Sequence, residues 1–231
     1  MKQIRFLTFE EMAATFRGKR VALVGSGPSS RFHKPGFIDG HEVVVRVNNF
    51  KLSKEAGVRA DVHYSYYGGA IDVTAAALQG AGVKLCVCKC PNSKPLNSPW
   101  HERNGHIRGI DFRWIYEYRR AFWFCDVFVP DDELFLNKFR LLRGHVPTTG
   151  FSALLDILSC GPSELYMTGF DFFTSGIHNV DERWKKGNPR DPIGHDNAAE
   201  LQWVAENHFK YPLTFDSVLA RLVDERASNE V

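Results

Sequence analysis

Arg20-Val-Ala-Leu-Val24, followed at once by Gly25-Ser-Gly-Pro-Ser-Ser30, is the stretch on which the reading of the fold turns. The apolar run has the length and composition of a buried strand. A strand that ends in Gly-x-Gly lets the backbone pass close to a phosphate or ribose, because no Cβ intervenes. Ser26, Ser29 and Ser30 add hydroxyls and amides there. A plain tight turn explains the same residues, so the motif needs company. It is also an imperfect dinucleotide fingerprint. Ser30 stands at the third glycine, and the next strand ends in Arg46-Val-Asn-Asn49 where an acid for a ribose is expected.

Upstream, Thr8 and Glu11 form a capping-box pattern for a short helix that Gly18 ends. Downstream, strands are expected over 42–47, 61–66 and 84–90, with a helix over 71–80. After a different middle section come helices over 131–142 and 151–159, a strand over 164–168 and a Gly/Asn/Asp/Pro-rich loop over 169–194. A helix over 197–207, a strand over 211–215 and a terminal helix opened by Asp216 or Ser217 complete the chain. Strands alternating with helices predict an α/β, Rossmann-like fold with a mostly parallel sheet flanked by helices. The whole of 1–231 is read as one domain. Residues 91–130 interrupt the alternation. Pro91 to Pro99 read as loop, and 111–128 carry Phe112, Trp114, Tyr116, Tyr118, Phe122, Trp123, Phe124 and Phe128. Two readings stay open for them: extra core, or a lid on the acceptor side.

Composition excludes several classes. Hydrophobic residues are 44% and charged residues 24%, ordinary for a globular domain, and the formal charge is only +2. No long Lys/Arg run speaks for nucleic acid. A small basic cluster at Arg113, Arg119 and Arg120 reads first as a solvated face. No apolar run is long enough for a transmembrane helix, at about 18 residues, and no signal-peptide core opens the chain. Five cysteines, an odd number, argue against a disulfide framework. Cys86, Cys88 and Cys90 alternate on one strand face, where buried thiols in a reducing cytoplasm are favoured over a soft-metal site.

Four further pieces carry chemistry. Asn48 and Asn49 end an apolar strand, at the edge where open α/β sheets bind ligands, and an amide there can meet a base or a ribose hydroxyl. Thr148-Thr149-Gly150 precedes a helix, where hydroxyls and free amides form an anion site. Gly169-Phe170-Asp171-Phe172-Phe173 leaves a strand for the long loop. His195 stands at a helix mouth with Glu200 five residues on, placed to take a proton from a hydroxyl. Each has a plain structural explanation when taken singly.

In order, Gly25–Ser29, Val45–Asn48, Thr148–Gly150, Gly169–Phe173 and His195-x4-Glu200 resemble the sialyltransferases, both the bacterial kind and the animal kind with its L, S and VS motifs. The resemblance spans about residues 20 to 215 and leaves the aromatic middle unmatched. It implies that Gly25, Ser26, Gly27 and Ser29 line phosphate and ribose, and that Asn48 contacts the nucleotide. It implies that Thr148, Thr149, Gly150 and the Phe170–Asp171 turn hold the cytidine part, with His195 as general base. The implied reaction is an inverting, metal-independent transfer from CMP-sialic acid or CMP-Kdo to a glycan, with no cofactor. Consistently, the chain contains no Asp-x-Asp. One departure is plain: Phe173 stands where the bacterial enzymes carry a tyrosine for the leaving phosphate. No tyrosine follows before His195, which leaves His178 or a loop amide as substitutes.

Three rival readings make other demands. A pterin pyrophosphokinase-like diphosphotransferase shares Gly-x-Gly-Pro-Ser and needs Mg²⁺ carboxylates, for which Asp61 and Asp171 are the candidates. An NADP-dependent oxidoreductase uses Arg46 on a 2′-phosphate. A non-catalytic nucleotide-binding module leaves His195 idle.

Overall fold

Strand β1 (Arg20–Val24) lies inside a sheet of seven parallel strands, and its neighbours explain the rest of the layout. The structure, a computed structural model, describes residues 4–67, 73–91, 124–174 and 195–228. The strands are β1, β2 (Val43–Val47), β3 (Val62–Ser65), β4 (Leu85–Cys88), β5 (Asp126–Phe128), β6 (Glu164–Thr168) and β7 (Leu213–Phe215). Their order across the sheet is β5-β4-β3-β2-β1-β6-β7. Every neighbouring pair is parallel. The chain therefore steps outward from β1 to β5, then crosses back to β6 on the other side of β1.

The helices are α1 (Phe9–Ala13), α2 (Ala75–Gly80), α3 (Asp132–Leu141), α4 (Thr149–Ser159), α5 (Asn197–Asn207) and α6 (Ser217–Ser228). Their starts follow side-chain chemistry. Thr8 and Glu11 close a full capping box on α1, and Thr74, Asp131, Thr148 and Asp196 each cap a helix by accepting a first-turn amide. Asp216 does the same for α6 through the amides of Val218 and Leu219.

Strand alternation sorts the core into two layers. Val21, Leu23, Val45, Val62, Tyr64, Val87, Leu165 and Met167 face α1, α4, α5 and α6, meeting Phe16, Phe151, Leu154, Val204 and Leu219. On the opposite face Ala22, Val24, Val44 and Tyr166 pack with Ile38, and Cys86, Cys88 and Val127 with Leu78. Each fully buried aliphatic side chain contributes about 1.5–3 kcal/mol. No described α-helix joins β1 to β2 or β2 to β3. Short 3-10 turns at Pro28–Arg31 and Ile38–Gly40 cover the first of these crossings.

Three details refine the sequence reading. Asp126–Phe128, inside the 91–130 insertion, is edge strand β5, and residues 5–7 run alongside it through Val127 N–H to Arg5 O and Leu7 N–H to Val127 O. Cys86 and Cys88 share a face, while Cys90 lies beyond the strand end; all five cysteines are buried thiols outside any disulfide. The rest of the aromatic section, residues 92–123 with Arg113, Arg119 and Arg120, lies outside the described residues, as does 175–194 with His178. No described helix is long and apolar enough to cross a membrane.

Candidate functional site

The strand order reverses between β1 and β6, and ligands of open α/β sheets bind beyond the carboxyl ends of the strands at such a point. Gly25–Ser30 leaves β1 there and Gly169–Phe173 leaves β6. The two turns are knitted together. Gly25 N–H donates to Thr168 O at 2.8 Å and Gly27 N–H to Gly169 O at 2.8 Å. Gly169 N–H donates to Ser29 Oγ at 3.2 Å, and Ser30 Oγ donates to Gly27 O at 2.8 Å. A Cβ on Gly27 meets Gly169 O at 2.7 Å, and one on Gly169 meets Gly25 O at 2.7 Å. The glycines are thus required by a backbone approaching a backbone. The sequence suggested a ligand as the reason, and the structure supplies a nearer one.

Phe170 joins a third motif to these two. Its ring edge fills the space that a Cβ at Gly150 needs, and it lies 3.0 Å from the place of a Cβ on Gly25. Gly150 opens α4, whose first amides point out of the helix. Thr148 accepts from Phe151 N–H at 3.1 Å, while the amides of Thr149 and Gly150 and the Thr149 hydroxyl have no partner among the described residues. Ser26 also keeps its hydroxyl uncommitted among them. A helix N-terminus of this kind favours an anion.

The fifth motif docks on the same helix start. Glu200, buried inside α5, accepts from Thr148 N–H at 2.5 Å and from Thr148 Oγ1 at 2.7 Å. Burial pushes its pKa up to about 7, against the two Thr148 bonds and the charge of Lys89. The Thr148 hydroxyl is therefore spent on holding α4 to α5. His195 sits at the mouth of α5, with Nδ1 2.5 Å from Val146 O. A carbonyl only accepts, so Nδ1 carries the hydrogen and Nε2 the lone pair.

Asn48 leaves β2 beside the first motif, because Val24 pairs with Arg46 in adjacent parallel strands. It is half-buried and left-handed, with φ 53°. Its Oδ1 accepts from Ser65 Oγ at 3.0 Å, and the side-chain NH2 has no partner among the described residues. Ser65 ends β3 and joins the site unforeseen; its place beside Asn48 follows from strand register, which one sequence does not display. Asp171 accepts from Phe173 N–H at 3.0 Å and so holds its own turn. Phe172 and Phe173 that follow are left-handed at φ 47° and 61°, a strain of about 1–3 kcal/mol each. Below this turn Asp216, read from sequence as a helix cap, also accepts from Thr168 Oγ1 at 2.7 Å and Gly169 N–H at 3.0 Å.

The residues invoked by two rival readings are differently placed. Arg46 is buried, bonded to Arg59 O at 3.2 and 3.1 Å, with its pKa pulled down to about 10 by burial; it does not face a ligand phosphate. Asp61 precedes β3 and binds Val44 N–H and Arg59, whereas Asp171 follows β6, so the two carboxylates lie at opposite edges of a parallel sheet. Among the described residues no group of three or more His, Cys, Asp or Glu is placed to hold a metal.

No protein-family model and no curated protein matches the sequence. Solved structures do match the fold. The sialyltransferase CstII from Campylobacter jejuni, in complex with the substrate analogue CMP-3FNeuAc, superposes with a TM-score of 0.57 at 18% identity, over 88% of this chain and 85% of that one. The monofunctional alpha-2,3-sialyltransferase Cst-I from Campylobacter jejuni gives 0.52 at 14% identity, over 86% of this chain and 76% of that one. The chain has a sialyltransferase-like fold.

Proposed function

We propose that the chain transfers sialic acid or a related acidic sugar from a CMP-activated donor to a glycan hydroxyl, with inversion and without metal or cofactor. One observation carries the reading. Phe170 wedged between Gly25 and Gly150, with Thr148 bonded to Glu200, gathers four separate motifs, that of His195 among them, at one end of the sheet. Structures of the same fold are described as sialyltransferases, one of them holding CMP-3FNeuAc, which supplies the chemical class.

In this reading the donor's phosphate and cytidine lie against the open start of α4. The amides of Thr149 and Gly150 and the Thr149 hydroxyl donate, and the helix dipole offsets the charge of the departing CMP. Ser26 adds a hydroxyl, Asn48 donates its side-chain NH2 to the nucleotide, and the Phe170–Asp171 turn closes one side. Gly25, Gly27 and Ser29 contribute by fixing the shape of the first turn. His195 Nε2 takes the acceptor's proton as that oxygen attacks the anomeric carbon and the bond to CMP breaks. A single displacement through an oxocarbenium-like state inverts the centre.

The test combines binding with turnover. CMP should raise the melting temperature, by about 2.7 kcal/mol of added stability at a hundredfold excess over Kd, while ATP and NADP leave it unchanged. CMP-sialic acid or CMP-Kdo should then release CMP in the presence of a glycan acceptor, with EDTA making no difference. Stabilisation by ATP or NADP in place of CMP sinks the proposal, and EDTA inhibition removes its metal-free part.

A further inference from the structure

Beneath Asn48, on the sheet face away from α4, β3 carries a fully buried histidine, His63. Its Nε2 lies 2.8 Å from the Asn48 carbonyl oxygen and its Nδ1 2.9 Å from the Tyr67 hydroxyl. Since the carbonyl only accepts, Nε2 carries the hydrogen, and Nδ1 accepts from the Tyr67 O–H, which also lies 3.2 Å from the His63 carbonyl oxygen. Burial holds the ring neutral, with its pKa pulled down to about 4 against the Asn48 bond. Phe50 and Tyr67 enclose it edge-on, with ring centroids at 5.7 and 5.3 Å.

Both ends of this bridge are strained. Asn48 has φ 53° and Tyr67 φ 48°, and the two turns leave neighbouring parallel strands. Asparagine visits the left-handed region at some cost and an aromatic at more. Asn48 is held at every group but one. Its N–H donates to Tyr64 O at 3.0 Å, its carbonyl accepts from His63, and its Oδ1 accepts from Ser65 Oγ. Ser65 Oγ in turn accepts from Tyr67 N–H at 3.2 Å. Among the described residues only the side-chain NH2 is left. Apolar packing calls for no ring nitrogens here; a donor aimed at the Asn48 carbonyl and an acceptor beside the Tyr67 hydroxyl do.

We propose that His63 is a positioning residue for the nucleotide. By pinning the Asn48 carbonyl it keeps Asn48 in its left-handed turn, so that the free carboxamide NH2 is presented to the ligand. The ligand half of this rests on the CMP-sugar reading above; the pinning half does not.

The experiment is a double-mutant cycle on CMP affinity, measured by calorimetry, for His63→Phe, Asn48→Ala and the pair. Each single change should weaken CMP about tenfold, and the pair no more than Asn48→Ala alone within about twofold. His63→Gln, which keeps a donor, should recover much of the loss. A pair that adds up to about a hundredfold overturns the proposal, because a merely structural histidine weakens binding independently of Asn48. Two readouts need no ligand. In ¹⁵N spectra of the wild-type protein His63 should be the Nε2–H tautomer, and in a crystal structure of His63→Phe residue 48 should leave the left-handed region. An Nδ1–H tautomer, or an unchanged φ at Asn48, overturns the pinning even if His63→Phe folds poorly. Wild-type protein that ignores CMP ends the ligand half together with the function, and the spectra and the crystal structure still decide the pinning.

Discussion

His195 is anchored through Nδ1, and the proposed reaction uses its Nε2 as the base. The hydrogen bond from Nδ1 to Val146 O sets the tautomer, and α5 sets the position. His195→Ala should lower turnover about 10²–10⁴-fold and leave CMP affinity within a few-fold, as loss of a general base does; unchanged turnover takes His195 out of the reaction. Its place at a helix mouth was legible because His-x4-Glu is a local pattern. The work of Glu200 was not. Sequence places the carboxylate only as five residues along, inside the helix, but it reaches across to Thr148, and only the packing of α5 on α4 makes that contact. Ser65 and His63 were illegible for the same reason. Their meaning lies in the neighbouring strand, at a register the chain does not spell out.

Helix starts were the most legible elements, since Thr8, Asp131 and Thr148 act on amides within three residues of themselves. Strand β5 was the least, being three residues long and adjoining an aromatic run that reads equally as core or lid. Between α3 and α4 lies a feature the sequence conceals altogether. Lys138 and Asp156, both buried, approach to 2.6 Å, and Tyr64 on β3 donates to Asp156 at 2.5 Å. Removing one buried charge strands the other. Asp156→Ala should therefore cost about 3–5 kcal/mol in denaturant unfolding, while Lys138→Met, Asp156→Leu and Tyr64→Phe together should recover most of it. A loss below about 1 kcal/mol for Asp156→Ala shows that this cluster is not holding α4 to α3 and the sheet.

For the molecule as a whole, the parallel α/β class was readable from alternation, but the reversal of order at β1 was not, because several strand orders satisfy the same alternation. Two buried groups on this framework pull stability in opposite directions as pH changes. His63 is neutral when folded, with its pKa near 4 and not near 6.5; the stability it contributes is present above pH 6.5 and lost as pH falls towards 4. Glu200 is raised from 4.5 to about 7, so its contribution is complete below pH 4.5 and lost as pH rises through 7. Each shift corresponds to about 3 kcal/mol, and between pH 4.5 and 6.5 the two slopes oppose each other. Relative to wild type, Glu200→Gln should gain about 3 kcal/mol on going from pH 4.5 to 7, and His63→Phe the same amount on going from 6.5 to 4. Denaturant midpoints across that range measure both, and a difference from wild type that stays flat with pH refutes the corresponding assignment.

The wedge of Phe170 against Gly150 has an evolutionary consequence. A side chain at 150 and a ring at 170 claim the same volume, although twenty residues separate them. The two positions should therefore drift together among relatives: a residue larger than glycine at 150 is tolerated only where 170 has shrunk. In the laboratory, Gly150→Ala alone should destabilise the fold by about 1–3 kcal/mol, as overpacking does, and adding Phe170→Leu should restore part of the loss. Helix α4 and the turn after β6 are then a single heritable unit, and a lineage that altered one without the other would first lose the junction on which the site is built.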